Sequence, residues 1–321
     1  MYRRILFWFK NSRPFSLPMT FMSWLTVFIF SFFEKGNILN GVIALLGISF
    51  AHLATNLFDD YVDYRSEIKS GVRAECVKKS KCAYLKNNEA GLDELLKVVI
   101  IYCTIAVIVG MILTARCGIG VIVLAAVGGV ITLSYPKLSS AGLSEVAVGT
   151  AFGPLLFEGV YYVMCGKFSI SVLILSVAVV MFTVSLVYMN KILDYENDKI
   201  EGKNSICCRL NDKQKIAAGI LVIYSIGYLG YVVFSICSNN FFCLLPLLTV
   251  PLVLELYKLI LSYYFEPDKN VEIKWFYKPL DNWEQIKNNG TANFYLRLFF
   301  TRNIMIWVSV LTVLAIIANN F

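Results

Sequence analysis

The sequence predicts an all-α fold, a polytopic membrane bundle of nine transmembrane helices with its N-terminus on the cytoplasmic side. Three observations carry that expectation. Of the 321 residues, 58% are hydrophobic and 16% charged, against roughly 25% charged in an ordinary soluble domain. The apolar residues gather into nine runs near the length of about 20 that spans a bilayer core. The basic residues are shared very unequally between the two sides those runs define.

The runs cover 17–33, 38–58, 95–115, 117–135, 145–165, 168–190, 216–236, 241–263 and 302–320. The first follows MYRRILFWFKNSRP and lacks a small-residue cleavage site, so it reads as a retained helix and not as a cleaved signal. Nine crossings place the termini on opposite sides. With the N-terminus inside, the inner segments hold 24 of the 29 Lys and Arg residues and the outer ones three, Lys35, Arg116 and Lys167. Cytoplasmic loops retain such residues, which sets the orientation. The net charge of +7 reads first as stop-transfer and anionic-lipid contacts. Outer connections are short, whereas long inner loops occupy 59–94, 191–215 and 264–302, so chemistry is expected on the cytoplasmic face of a single membrane domain spanning 1–321.

Of the nine cysteines, Cys76, Cys82, Cys207 and Cys208 fall in loops expected to face a reducing compartment. Cys207 and Cys208 are adjacent, and no CxxC pair or histidine partner accompanies them, which argues against zinc. The only histidine, His52, lies mid-helix and reads as a core residue hydrogen-bonded within the bundle.

Two acidic stretches stand out against this apolar background, DDYVDYRSE at 59–67 and NKILDYENDKIEGK at 190–203. Asp at the centre of a membrane helix costs roughly 2.5–3.5 kcal/mol on insertion scales, so each stretch requires compensation. Asp59, Asp63 and Glu67 step by four, as do Asn190, Asp194 and Asp198, and a step of four keeps side chains on one helical face. Asp60, three before Asp63, joins the first set. Both sets lie at inner ends of even-numbered helices, as in a pseudo-repeated bundle with two opposed carboxylate faces. Such faces repel unless cations sit between them, and hard oxygen ligands suit Mg²⁺, which shares its coordination with substrate phosphates. The pattern points to a diphosphate at the cytoplasmic mouth of an apolar cavity. A plainer reading has these carboxylates cap helix ends and pair with Arg65, Lys69, Lys191 and Lys199. A third makes the mouth a divalent-cation path, which the scarcity of ionisable residues within the helices disfavours.

The stretches DDYVDYRSE and DYENDKIEGK resemble the two Asp-rich signatures of the UbiA superfamily of intramembrane aromatic prenyltransferases, NDxxDxxxD and DxxxD. SRPFSLP at 12–18 and TNLFDDYVDY at 55–64 are similar to further segments of that family. GLSEVAVGTAFGPLLFEGVYYV at 142–163 resembles the branch that prenylates 1,4-dihydroxy-2-naphthoate in menaquinone synthesis. The resemblance implies Mg²⁺-dependent transfer of a polyprenyl group from an allylic diphosphate to an aromatic quinone precursor; a glycerol lipid, a tetrapyrrole or a sugar remain alternative acceptors. It assigns catalysis to Asp60, Asp63, Asp194 and Asp198, with Asp59 and Glu67 completing the metal ligands. It also implies substrate contacts from Arg13, Asn190, Lys137, Lys203 and Tyr135. Tyr135, Tyr161, Tyr162 and Tyr188 are expected to shield the allylic cation with their π-faces. The sequence departs from the family at Asp59, where Asn is usual, and in the basic stretch 70–91. The segment WFYKPLDNWEQIKNNG within 264–302 reads either as a lid lying on the membrane or as a connector with aromatic anchors.

Overall fold

The computed structural model of the protein describes residues 2–70, 82–200, 202, 204–266 and 271–320, leaving aside the side chains of 67–70; among them it contains helices and the turns that join them. In chain order the α-helices are α1 (Tyr2–Asn11), α2 (Leu17–Phe33), α3 (Ile38–Ser70), α4 (Ala83–Lys86), α5 (Leu92–Cys117), α6 (Gly120–Ser140), α7 (Ser144–Thr150), α8 (Leu156–Cys165), α9 (Ile170–Leu193), α10 (Tyr195–Ile200), α11 (Ile206–Leu210), α12 (Lys213–Ser238), α13 (Val250–Phe265), α14 (Trp283–Asn288) and α15 (Ala292–Asn319). Nine stretches among the described residues are long and apolar enough to cross a membrane, one for each predicted run.

Two boundaries differ from the sequence reading in a way that matters. α3 continues unbroken to Ser70, so the first acidic stretch lies on a helix, as its four-residue step predicts, and the loop does not begin at 59. The ninth span begins at Ala292, ten residues early, because Arg297 and Arg302 find partners inside the protein. Charge alone had suggested that neither belonged in a helix core.

The fifth span is broken. Pro154 removes a backbone donor, Gly153 leaves helical geometry (φ −94°, ψ −109°), and the span becomes α7 and α8 joined by a widened turn. The break lies against α9, where a Cβ on Gly153 would meet Val180 at 2.9 Å.

Burial separates centre from periphery. In α9 and α15 61% of the apolar window is buried, against 11% in α6, which therefore faces lipid. α9 packs chiefly on α12 and α3 chiefly on α5, with α2, α8 and α15 between. The α9–α12 approach is close enough that a Cβ on Gly230 would lie 2.9 Å from the Ala178 Cα, the small-residue packing that brings membrane helices together.

Many polar groups inside this bundle are paired, as a solvent without hydrogen-bonding capacity favours. The Trp24 indole donates to Gly41 O at 2.8 Å and Asn40 Nδ2 to Val163 O at 2.8 Å. His52 is a paired core histidine as predicted, with Nδ1 2.6 Å from Thr20 Oγ1 and Nε2 3.1 Å from Ser16 Oγ. Before the first span, α1 pins its polar face to α5, where Arg4 pairs with Glu94 and Trp8 Nε1 donates to the same carboxylate at 3.1 Å. Tyr2, Ile5 and Phe9 on its other face are exposed.

The segment 271–290 is latched to the bundle. The buried Tyr277 donates to Glu255 Oε1 at 2.9 Å, and Asn303 Nδ2 donates to Tyr277 O at 2.7 Å. These contacts match the connector reading with aromatic anchors.

Cys82 and Cys207 are buried and Cys76 lies outside the described residues, so none of the three suits a test of sidedness. Cys237, exposed near the C-terminal end of α12, does. With the N-terminus inside, a variant retaining Cys237 alone is labelled in intact cells by an impermeant maleimide, whereas one carrying only Gln214→Cys is labelled after permeabilisation. The reverse pattern would invert the orientation.

Candidate active site

The first acidic cluster is built around Asp60. It is 2% exposed, and both its carboxylate oxygens are engaged: Arg13 pairs with Oδ1 and the Tyr84 hydroxyl donates to Oδ2 at 3.2 Å. The same guanidinium lies 3.8 Å from Asp59 Oδ2. Burial opposes the Arg13 charge, but Asp60 and then Asp59 outweigh it and raise its pKa above the ordinary value. Burial first, and then the Asp60 charge, push the Tyr84 hydroxyl up as well, keeping it a proton donor.

Arg13 reaches this position through an unusual backbone. Its φ of 60° and ψ of 56° are left-handed, and Pro14 follows. Such a conformation costs a non-glycine residue about 1–3 kcal/mol and persists only where surroundings over-determine it. Hydrogen bonds surround it: Asn56 Nδ2 donates to Ser12 O at 3.0 Å and to Ser16 Oγ at 3.1 Å, and Ser16 Oγ donates to Arg13 O at 2.8 Å. His52, Asn56 and Asp60 step by four along α3, so one helical stripe grips the whole turn between α1 and α2.

The second cluster is organised differently. α9 ends at Leu193, Asp194 caps it, and α10 begins at Tyr195. The Asn190–Asp194–Asp198 trio is therefore not one straight helical face, as its spacing predicts. The register nevertheless survives the break, because Asp194 N donates to Asn190 O at 2.9 Å and Asp198 N to Asp194 O at 2.8 Å. Asp194 and Asp198 are both buried, at 8% and 1% exposure. The chain then turns back to meet the α6–α7 turn, where Gly142 has φ +73° and a Cβ would run into the carbonyl oxygen of Asn204. Arg209 ties the contact, donating to Asn204 Oδ1 at 2.9 Å and to Ala141 O. Nearby, burial pushes the Cys207 thiol up to about 12, with the Glu145 charge adding to it, so this cysteine stays a neutral packing group.

The other predicted positions divide. Asp63 is half-buried on α3 one turn after Asp59 and Asp60. Asn190 is half-buried and donates to Leu186 O at 3.0 Å. Tyr135 is half-buried, packs against the main core and lies within the field of Arg13. Lys137 is exposed at the end of α6. The Glu67 side chain and Lys203 lie outside the described residues. Tyr161 and Tyr162 are corrections: they sit on α8 near the opposite end of the bundle, where Tyr162 donates to Cys117 O at 3.3 Å, and their place in the π-shield is lost. Tyr188 spends its hydroxyl on Ile216 O at 2.9 Å. The sequence reading missed Asn56 and Tyr84. Asn56 carried a usable signal, one helical turn before Asp60; Tyr84 follows a segment whose composition says nothing of its return to α3.

Among the described residues, no three His, Cys, Asp or Glu side chains come together as a metal-binding group. The donor set nonetheless fits Mg²⁺, which prefers one or two carboxylates with water and phosphate oxygens over an all-protein cage. Four buried Asp side chains in two pairs, each of hard oxygen donors, are of that kind.

Comparison with known proteins decides the family. The sequence profile of the UbiA prenyltransferase family matches residues 17–276. The chain belongs to the UbiA prenyltransferase family. Among curated UbiA-type relatives it is 22% identical over 245 residues to the 1,4-dihydroxy-2-naphthoate octaprenyltransferase of Haemophilus influenzae, covering 73% of this chain and 79% of that one. Solved structures share the fold. A UbiA homologue from Aeropyrum pernix superposes with a TM-score of 0.56 at 15% identity, covering 94% of this chain and 97% of that one. One from Archaeoglobus fulgidus bound to GPP and Mg²⁺ gives 0.56 at 12% identity, covering 96% and 98%. This protein is accordingly a multi-pass membrane prenyltransferase.

The His52 pairing yields a stability prediction. His52→Leu strands the buried Thr20 hydroxyl and loosens Ser16, which should cost about 1–3 kcal/mol, the penalty for an unsatisfied buried polar group. Thermal unfolding in detergent measures it, and an unchanged midpoint would refute this account of the turn.

Proposed function

We propose that this UbiA prenyltransferase transfers a polyprenyl group from an allylic diphosphate to an aromatic quinone precursor of the 1,4-dihydroxy-2-naphthoate type, in a Mg²⁺-dependent reaction at the cytoplasmic face of the cell membrane. The observation that carries the reading is the pair of carboxylate clusters, the buried Asp59 and Asp60 with half-buried Asp63 on α3, where Arg13 pairs with the first two, and the buried Asp194 and Asp198 across the α9–α10 break. The named relative and the GPP- and Mg²⁺-bound homologue support the substrate classes. The proposed unit is one membrane domain over residues 1–321.

In the reaction the allylic C–O bond breaks, the diphosphate leaves with the bonding pair, and a ring carbon of the acceptor attacks the allylic cation and then loses its proton. Asp60, Asp63, Asp194 and Asp198 would hold Mg²⁺, with Asp59, Glu67 and Asn190 completing the donors. Bound there, Mg²⁺ supplies positive charge to the departing diphosphate, the kind of preorganised electrostatic stabilisation that dominates many enzymatic rates. Arg13, half-buried and fixed by its turn, contributes a second positive charge at the same mouth. Lys203 and Lys137 are further candidates for phosphate or acceptor contacts. Tyr135, half-buried against the main core, is the candidate to keep water from the allylic cation and to offer it a π-face.

Three measurements test this. Turnover should vanish with EDTA and return with Mg²⁺, and Asp63→Ala or Asp194→Ala should each lower it by orders of magnitude; near-wild-type turnover in either folded variant would defeat the two-cluster site. Supplying a radiolabelled prenyl diphosphate with a panel of naphthoate, glycerol phosphate, tetrapyrrole and sugar acceptors, and weighing the products, decides the acceptor. Prenylation of the glycerol, tetrapyrrole or sugar alone would overturn the aromatic assignment.

At Asp59, Asn is expected to serve. Asp59→Asn removes one charge next to Arg13 yet keeps an oxygen ligand, so turnover should persist with an equal or somewhat higher Mg²⁺ requirement. Turnover that collapses and that added Mg²⁺ cannot restore would give Asp59 a role of its own.

A further inference from the structure

A helix leaves its last four carbonyls without intrahelical donors, and inside a membrane bundle water is not at hand to replace them. At the end of α9 the two carbonyls immediately before Asp194 are met from another helix. Tyr264 donates to Ile192 O at 2.7 Å and Tyr263 to Leu193 O at 3.2 Å. The two tyrosines are consecutive on the last turn of α13, and the two carbonyls are consecutive on the last turn of α9.

This pair is itself held in place. Arg297, 2% exposed on α15, donates to Leu259 O at 2.8 Å and Ser262 Oγ at 3.1 Å on α13, and its guanidinium lies 4.9 Å from the centre of the Tyr263 ring. The Tyr264 ring meets Tyr195, the first residue of α10, edge-on at 6.3 Å, and Lys213 lies 5.6 Å from its centre. α15 thus fixes α13, α13 fixes the end of α9, and Asp194 and Asp198 follow directly. A phenylalanine at 263 or 264 would keep the ring contacts. The hydroxyls are therefore specific to the carbonyls, and the carbonyls to the helix break that carries the two carboxylates.

We propose that Tyr263 and Tyr264 are positioning residues that fix the break between α9 and α10 and thereby set the affinity of the Asp194–Asp198 pair for a divalent cation. The inference rests on the cation-binding reading of that pair. Groups that orient metal ligands from behind typically change metal affinity by about 10–100-fold when removed.

The test uses the full chain in detergent and Mn²⁺ alone as the probe, with free Mn²⁺ followed by its paramagnetic resonance signal. Tyr264→Phe should weaken Mn²⁺ binding by about 10-fold or more, and Tyr263→Phe, which loses a longer bond, by less. In turnover, the half-saturating Mg²⁺ concentration should rise in parallel, with most of the rate recovered at saturation. Asp194→Ala separates the two levels of the argument. If it too leaves Mn²⁺ binding unchanged, the cation reading of the pair fails. If it abolishes tight Mn²⁺ binding while both Phe variants retain wild-type affinity, the positioning role alone is overturned. Failure of both Phe variants to fold would assign the hydroxyls to stability and overturn it equally.

Discussion

A carboxylate withdrawn from water has to be met by a cation or by hydrogen-bond donors, because leaving it buried and unmatched costs several kcal/mol. Much of this end of the bundle is arranged around that requirement at Asp60. Arg13 supplies the charge, and to do so its backbone adopts a left-handed conformation ahead of a proline. Holding that turn engages Asn56 and Ser16 directly, with His52 bonded to Ser16 in turn. The second oxygen draws in Tyr84, so the chain after α3 returns to the helix it left. The docking of α1 on α5 through Trp8 and Glu94 then keeps the approach to Arg13 in place.

The two acidic clusters look alike in sequence and are built on different principles. The first lies on an uninterrupted helix and is stabilised by groups that reach the carboxylate itself. The second straddles a helix end, where Tyr263 and Tyr264 meet the carbonyls before Asp194 and Asp198 N donates to Asp194 O.

The bundle was legible because lipid leaves composition few choices: an apolar run of bilayer length has to be a helix, and all nine were found. The four-residue step already put the first acidic set on a helix, but the end of that helix at Ser70 and the early start of α15 were not legible, because hydropathy treats Asp59, Asp60, Arg297 and Arg302 as solvent-seeking, whereas each meets partners that composition cannot supply. At the site, Asp59, Asp60, Asp194 and Asp198 stood out as charges in the wrong solvent, and the resemblance singled out Arg13 as a substrate contact, whereas its pairing with Asp59 and Asp60 came from the structure. Asn56 was hidden because an amide in a helix is unremarkable until the turn it grips is known. Tyr84, Tyr263 and Tyr264 were three among 18 tyrosines, most of which such a protein needs for packing. Their roles come from long-range pairing, which local pattern does not encode. Tyr161 and Tyr162 show the converse, since depth along the chain placed them in the bundle but not at the right end of it.

The contact between Gly142 and the Asn204 carbonyl carries a consequence for how this sequence can drift. The residue touches no carboxylate and has no chemistry to offer, yet every alternative amino acid would push the strand of chain that follows the second cluster. Arg209 holds the same turn through Ala141 O and Asn204 Oδ1. An inspection of variants that asked only about charge and polarity would class the turn as neutral ground. Sterically it is a hinge pin, and the heritable information stored there is the absence of one carbon atom.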